Sequence, residues 1–259
     1  MTLIQALILG VVEGVTEFIP ISSTGHLIFV GYFLDIKSDL KSTFDISIQL
    51  GAILAVVFLY WSFFKQFFNP KKLLSHDAIV LYISAIPVFV FGFLFYSTIK
   101  SLFDIKYVVM SLGIGGLLMI LIERFVPIKK STVNFEDISY KQALIIGLAQ
   151  CASLIPGTSR SASTIIGGLV AGLNYELSAR FSFILAVPVM IAAVSYELMK
   201  SASTISNEGV IMIGIGFIVS FIVGLFSMLT FIKILTRFKL TPFGIYRVII
   251  SVLIYVVIF

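Results

Sequence analysis

Two stretches of this chain, about half its length apart, carry the same interrupted apolar pattern. Gln5-Ala6-Leu7-Ile8-Leu9-Gly10 returns as Gln142-Ala143-Leu144-Ile145-Ile146-Gly147, and Glu13 is answered by Gln150. After a one-residue slip, Ile19-Pro20-Ile21-Ser22-Ser23 aligns with Ile155-Pro156-Gly157-Thr158-Ser159. Each copy is an apolar helical stretch broken at a proline, then a hydroxyl-rich turn, then a second apolar stretch. Duplicated, interrupted apolar segments constrain a membrane protein strongly. Broken backbone is tolerated at membrane depth only where protein or a watery cavity covers it, and such breaks are where polar ligands bind.

The membrane setting follows from composition. Hydrophobic residues make up 59% of 259, charged residues 12%, and mean hydropathy is +1.11; a soluble domain carries about 25% charged residues. Hydrophobicity runs to the last residue, so no secretory signal preceding a hydrophilic mature domain is expected. A single cysteine, Cys151, excludes an internal disulfide. The net charge of +5 is spread over short loops without the basic runs that would suggest nucleic acid. The expected partners of the surface are membrane lipids.

Six stretches are long and apolar enough to span a bilayer, which takes about 20 residues: 44–64, 78–97, 107–125, 178–199, 209–232 and 242–259. The repeated segments, near 2–34 and 140–173, have two arms each, too short to span alone, and read as re-entrant hairpins. Three spans separate the hairpins, so the second enters from the opposite face. The expected fold is therefore an all-α polytopic membrane protein, with six transmembrane helices plus two re-entrant helical hairpins in an inverted-topology repeat. It forms a single membrane domain, with repeat one over about 1–126 and repeat two over about 127–259. Ten basic residues (Lys65, Lys71, Lys72, Arg124, Lys129, Lys130, Lys141, Lys233, Arg237, Lys239) fall on one side. Five (Lys37, Lys41, Lys100, Lys106, Lys200) fall on the other, which makes the first side cytoplasmic. Both termini and the first hairpin's mouth are then expected outside the cytoplasm.

Glu13, Glu17, His26, Asp45, Arg160, Arg180 and Arg247 remain at membrane depth, where an ionisable group costs several kcal/mol unless paired or hydrated. Glu13 and Glu17, four apart, project from one helical face; such a like-charged pair suggests a bound hard cation, Mg²⁺ or Ca²⁺. The alternative is a helix end with one Glu paired to an Arg and the other solvated. Ser22-Ser23-Thr24 can cap the next half-helix, whose N–H groups would offer an anion site, and His26 can move a proton near neutral pH. In the second tip Gly157 permits close backbone approach, while Thr158, Ser159, Ser161 and Thr164 supply hydroxyls. Arg160 supplies a fork of donors matched to phosphate. An Arg160 paired with Glu13 or Glu17 at rest is compatible with that role. For Asp45, Arg180 and Arg247, snorkelling or an internal ion pair is expected. Gln49, Gly51, Gly113, Gly115 and Gly116 read as helix packing.

Together these motifs, Glu13-x-x-x-Glu17 running into Pro20-Ile21-Ser22-Ser23-Thr24-Gly25-His26, and Pro156-Gly157-Thr158-Ser159-Arg160-Ser161-x-x-Thr164, are distinctive. The chain closely resembles, over essentially its whole length, the undecaprenyl-diphosphate phosphatases of the bacitracin-resistance family. The resemblance implies a multi-pass cell-membrane hydrolase that converts undecaprenyl diphosphate to undecaprenyl phosphate and inorganic phosphate. Such an enzyme recycles the lipid carrier for cell-wall synthesis and confers bacitracin resistance. It implies a divalent cation and a site opening extracytoplasmically. On that reading Glu13 and Glu17 hold the cation. Ser22, Gly157, Thr158, Ser159, Arg160, Ser161 and Thr164 bind phosphate. Ser23 acts as nucleophile or positions water, and His26, with Glu17 as the alternative, is the general base. The rival is a transporter or flippase of the polyprenyl phosphate carrier. A homodimer is left open.

Overall fold

The computed structural model describes residues 1–36, 40–127, 134–201 and 207–259, and these are helical with short connections. Lys37, Lys129 and Lys130 of the charge count, and the side chain of Lys200, lie outside the described residues.

Both repeated segments fold as helical hairpins, and the same local chemistry builds each. Helix α1 (Leu3–Thr16) starts at Thr2, whose hydroxyl accepts from the Gln5 N–H (3.2 Å) while the Gln5 side chain accepts from the Thr2 N–H (2.8 Å). This reciprocal cap satisfies two backbone donors that a helix start leaves open. Gln5 Nε2 then donates to the Leu34 carbonyl (3.0 Å), tying the start of the first arm to the end of the second, α2 (Ser23–Phe33). Further along, α8 (Tyr140–Gln150) is capped identically by Ser139 and Gln142, and Gln142 Nε2 donates to the Ala171 carbonyl (3.1 Å) at the end of α9 (Arg160–Val170). Arms of 14, 11, 11 and 11 residues rise about 1.5 Å per residue and fall short of a bilayer's ~30 Å.

The tips match in an unexpected register. Ser22 and Ser159, the N-caps of α2 and α9, both hold left-handed φ (71° and 74°), and the chain turns left-handed again just past both helices, at Asp35 (φ 47°) and Gly172 (φ 91°). The structural equivalents run at one constant offset, with Ser22 answering Ser159 and Ser23 answering Arg160. The prolines misled the alignment: α1 continues to Thr16, whereas α8 stops at Gln150 and tightens into a 3₁₀ turn over Cys151–Leu154, so Pro20 and Pro156 occupy different places in their turns.

Among the described residues, five helices are long and apolar enough to cross a membrane: α5 (His76–Leu94), α7 (Ile105–Phe125), α10 (Tyr175–Ser201), α11 (Asn207–Phe238) and α12 (Thr241–Ile258). The span expected over 44–64 is not one rod. Helix α3 (Leu40–Leu59) stops, Tyr60 leaves helical geometry (φ −104°, ψ 29°), and Trp61–Phe68, beginning with α4 (Trp61–Phe64), departs at 80°. Tyr60, Trp61 and Lys65 prefer the membrane–water boundary to the hydrocarbon, which accounts for the chain turning there; counting the bent pair as one span gives six. Similarly, α5 ends at Leu94, and the short α6 (Tyr96–Ser101) follows.

Small residues let these helices pack backbone to backbone. A Cβ on Gly10 or Gly14 of α1 would lie 2.8 Å from the carbonyl oxygen of Gly216 or Ser220 on α11, and one on Gly147 of α8 would lie 2.6 Å from that of Ser84 on α5. Gly116 and Gly244 do the same reciprocally between α7 and α12, at 2.6 and 2.7 Å. Without a hydrophobic drive between helices in lipid, such close approach supplies much of the association. Helix α3 packs on α10 and α11, and α10 on α9. The largest apolar core joins Phe18 of the first tip to α3, α9, α10 and α11. Phe58, Phe93 and Phe226 face outward, as expected of side chains against lipid.

Candidate active site

The two tips meet. Ser161 Oγ donates to the Ile19 carbonyl (3.1 Å), and the Arg247 guanidinium of α12 lies against both tips. Its Nη1 donates to the carbonyls of Pro20 (3.3 Å) and Thr158 (2.8 Å), its Nη2 to those of Gly157 (3.0 Å) and Ser111 (3.3 Å), and its Nε to that of Leu112 (3.1 Å). Arg247 is 0% exposed. The expected snorkelling or ion pair is replaced by a fan of carbonyl oxygens. Residues in the irregular tips cannot satisfy their carbonyls within a helix, and the planar fork supplies the missing donors. Ser111 on α7 also donates to the Pro156 carbonyl, and a Cβ on Gly157 (φ 93°) would collide with Ser111 and the Val108 carbonyl.

A chain of polar side chains runs across the junction. Ser23, first residue of α2, donates from Oγ to Glu17 Oε2 (2.7 Å). Glu17 Oε1 accepts from Arg160 Nη2 (2.8 Å), first residue of α9. Arg160 Nη1 donates to the Ser182 carbonyl of α10 (2.9 Å) and lies 3.4 Å from its hydroxyl, which shares a 2.6 Å bond with Thr164. All of these groups are buried or nearly so, and the carboxylate and guanidinium keep only 6% and 9% of their side-chain surface. At such depth a charge-assisted pair is strong only because each partner neutralises the other, and removing one leaves a costly bare charge.

Glu13, one turn before Glu17, is 0% exposed, and neither of its oxygens has a hydrogen-bond partner among the described residues. The charged groups whose fields reach it are Glu17, Asp45 and Arg160. Gln150 is equally buried, with neither amide atom partnered among the described residues, so the two copies bury a polar group at the same place. Arg160 Nε is likewise buried without a partner among the described residues. Among the described residues no three His, Cys, Asp or Glu side chains converge closely enough to hold an ion by themselves. Glu13 with two uncommitted oxygens, beside Glu17, nevertheless fits a hard cation, because Mg²⁺ commonly takes one or two carboxylates and completes its shell with water and substrate phosphate.

His26 is placed differently from expectation. Its Nδ1 bonds the Ser22 carbonyl (2.8 Å) and its Nε2 the Tyr246 hydroxyl (2.8 Å), so Glu17 rather than His26 lies on Ser23. At the equivalent place in the second copy, Ser163 Oγ donates to the Ser159 carbonyl (3.0 Å). Ser22 and Ser159 themselves cap their helices, accepting from the N–H groups of Gly25 (3.4 Å) and Ala162 (3.2 Å), and Ser161 lies 3.1 Å from Ser159 Oγ. Their hydroxyls, and that of Ser161, are thus engaged within the tips, while the Thr158 carbonyl is held by Arg247. Asp45 pairs with Lys41, and Arg180 with Glu176 at 2.5 Å on a half-exposed surface. Ser182, Tyr246 and Arg247 were missed as site neighbours. The adjacent polar pair Tyr246-Arg247 near the start of an apolar span was the available signal; Ser182, a lone serine in an apolar run, offered none.

Fold and site together define a polytopic helical membrane protein with a buried junction of acidic, hydroxyl and guanidinium groups among the described residues. A family model described as bacitracin resistance protein BacA matches residues 6–253, and the chain belongs to that family. The undecaprenyl-diphosphatase of Wolinella succinogenes is 44% identical over 255 residues, which cover 98% of this chain and 97% of that protein.

Proposed function

We propose that the protein is an undecaprenyl-diphosphate phosphatase of the cell membrane, which releases inorganic phosphate from undecaprenyl diphosphate and returns undecaprenyl phosphate for cell-wall synthesis. The observation that carries the chemistry is Glu17, which joins Ser23 of one hairpin to Arg160 of the other. The kinship with an undecaprenyl-diphosphatase names the lipid.

Positioning and electrostatics dominate phosphoryl transfer. The Glu17–Arg160 pair neutralises the site at rest. A diphosphate entering the junction competes for Arg160, which keeps its Ser182 contact through Nη1 and offers Nη2 and Nε to phosphate oxygens. Glu17, released from Arg160, still accepts the Ser23 hydroxyl proton and becomes the general base for that step, which leaves His26 for the other proton transfers of the reaction, to or from water and phosphate. Ser23 Oγ then attacks the terminal phosphorus as its bridging P–O bond breaks and undecaprenyl phosphate leaves, water afterwards releasing phosphate from Ser23, or it orients the water that displaces undecaprenyl phosphate directly. The free N–H groups at the starts of α2 and α9 add positive potential where charge develops on phosphate. Glu13 and Glu17 are the residues that would hold a divalent cation, Mg²⁺ or Ca²⁺; when bound, it neutralises diphosphate charge and polarises the phosphoryl oxygens.

The inverted-topology repeat and six spans are part of this proposal. Three features support the repeat: the matching reciprocal caps, the shared left-handed serines, and the packing of α1 on α11 and α8 on α5, each first arm lying on the middle span of the other half. On the loop-charge bias the termini and the site's mouth face outward from the cytoplasm.

Purified protein is expected to release phosphate from a polyprenyl diphosphate, with release abolished by EDTA, restored by Mg²⁺ or Ca²⁺, and lost in Arg160→Ala. No release with any divalent cation, alongside translocation of the intact lipid, would establish the transporter reading instead.

A further inference from the structure

His26 has two bonds on its ring, and together they settle which nitrogen carries the proton. A carbonyl oxygen only accepts, so the 2.8 Å contact to the Ser22 carbonyl requires hydrogen on Nδ1. The neutral ring then presents a lone pair at Nε2, and the Tyr246 hydroxyl, 2.8 Å away, donates to it. The two rings lie nearly parallel, 4° between planes and 5.7 Å between centroids, so Tyr246 fixes the imidazole plane as well as its tautomer. The backbone is shaped to the same end. Ser22 sits at φ 71°, a costly conformation for a non-glycine residue, and its carbonyl takes both the His26 N–H (3.3 Å) and the ring. His26 is 8% exposed, whereas Tyr246 is 40% exposed and occupies the outward side of the pair.

Resting on the phosphatase reading, we propose that Tyr246 is a positioning residue for the reaction: its hydroxyl and ring hold His26 in the Nδ1–H tautomer, with Nε2 presented as the acceptor. Arg247, the next residue, is the charged group whose field reaches His26, and it is committed to the carbonyls of the tips. Tyr246 is therefore the side chain that controls the Nε2 lone pair. Being a hydroxyl, it can accept from Nε2 once the ring gains a proton, so the pair survives either protonation state.

The test is Tyr246→Phe, which keeps the ring and removes the hydroxyl. Phosphate release from a polyprenyl diphosphate with saturating Mg²⁺ is expected to lose about tenfold or more in kcat with KM changed by less than about twofold, the pattern of a lost transition-state arrangement rather than lost binding. In parallel, ¹⁵N-histidine spectra are taken in a His76→Gln background, where His26 is the sole histidine of the two in the chain. They should show Nδ1 protonated and Nε2 hydrogen-bonded in the parent, with the Nε2 signal displaced in Tyr246→Phe. An unchanged kcat, a loss confined to KM, or an unmoved Nε2 signal would overturn the proposal. A parent protein that releases no phosphate fails the functional reading instead, and is told apart because the parent, not the variant, is inactive.

Discussion

Glu17 is a single carboxylate with two commitments, and its substitutions separate them. Glu17→Gln keeps the size and can still accept from Ser23, but it loses the negative charge that balances Arg160 and the basicity that would take the Ser23 proton. We expect phosphate release to fall by about 10²-fold or more, the range of a lost general base, with the protein still folded. Arg160→Lys keeps charge but cannot reach Ser182 and Glu17 together as a planar fork does, so it should recover only part of the activity that Arg160→Ala loses, about 10²–10³-fold. Arg247 behaves differently because it touches the tips rather than the junction's acidic groups. Arg247→Met leaves five carbonyls without that donor, and thermal unfolding in detergent should show a loss of about 1–3 kcal/mol, as for buried acceptors left unsatisfied. If Arg247→Met unfolds like the parent yet is inactive, Arg247 acts on substrate and not as a strut.

At the scale of the hairpin, the tip is where sequence and structure part company. The repeat of Gln5–Gly10 as Gln142–Gly147 was legible, and the reciprocal caps that its glutamines complete with Thr2 and Ser139 came with the structure, though they too are local chemistry: a hydroxyl, three residues, and an amide. The register of the tips was not, because prolines were matched to prolines, whereas the backbone matches the left-handed serines. The slipped pattern accordingly set Ser23 against Ser159, while the fold sets Ser22 against Ser159, Ser23 against Arg160 and His26 against Ser163. Gly157 marks the tightest point of the second tip. Gly157→Ala adds a Cβ at φ 93° against Ser111 and a backbone carbonyl, neither of which can withdraw cheaply. It should cost about 2–3 kcal/mol and at least about tenfold in activity by displacing Arg160. Gly172→Ala, equally left-handed but with open space around it, should cost only the ~1 kcal/mol of backbone strain and spare activity; melting and phosphate release on both variants check the contrast.

For the whole molecule, the decisive question is which way each hairpin faces. With Cys151 replaced by Ser, single cysteines at Leu3 and Lys141, near the starts of α1 and α8, report the two mouths. An inverted repeat predicts that a membrane-impermeant maleimide labels Leu3→Cys in intact cells and Lys141→Cys only after the membrane is opened; labelling of both from one side would refute it. The α1–α11 and α5–α8 contacts also place the close glycine approaches between halves. Gly14→Leu should therefore separate α1 from α11 and abolish activity, while an equally large substitution at Gly214, which faces open space, should be silent.

The linear chain determined what kind of molecule this is. Its apolar content requires a membrane, the short broken segments exclude simple spans, and the residues left charged at depth, Glu13, Glu17, His26 and Arg160, point to the proposed site. Those conclusions rest on transfer free energies and helical spacing, which are properties of short stretches. Tertiary structure alone decided the pairings. Glu17 rather than His26 came to Ser23, Tyr246 came to His26 from the far end of the chain, and Arg247 proved to be a strut between tips. The reason is directional. A hydrogen bond depends on where a donor points once helices from both halves have packed, and no spacing along one helix encodes the position of another.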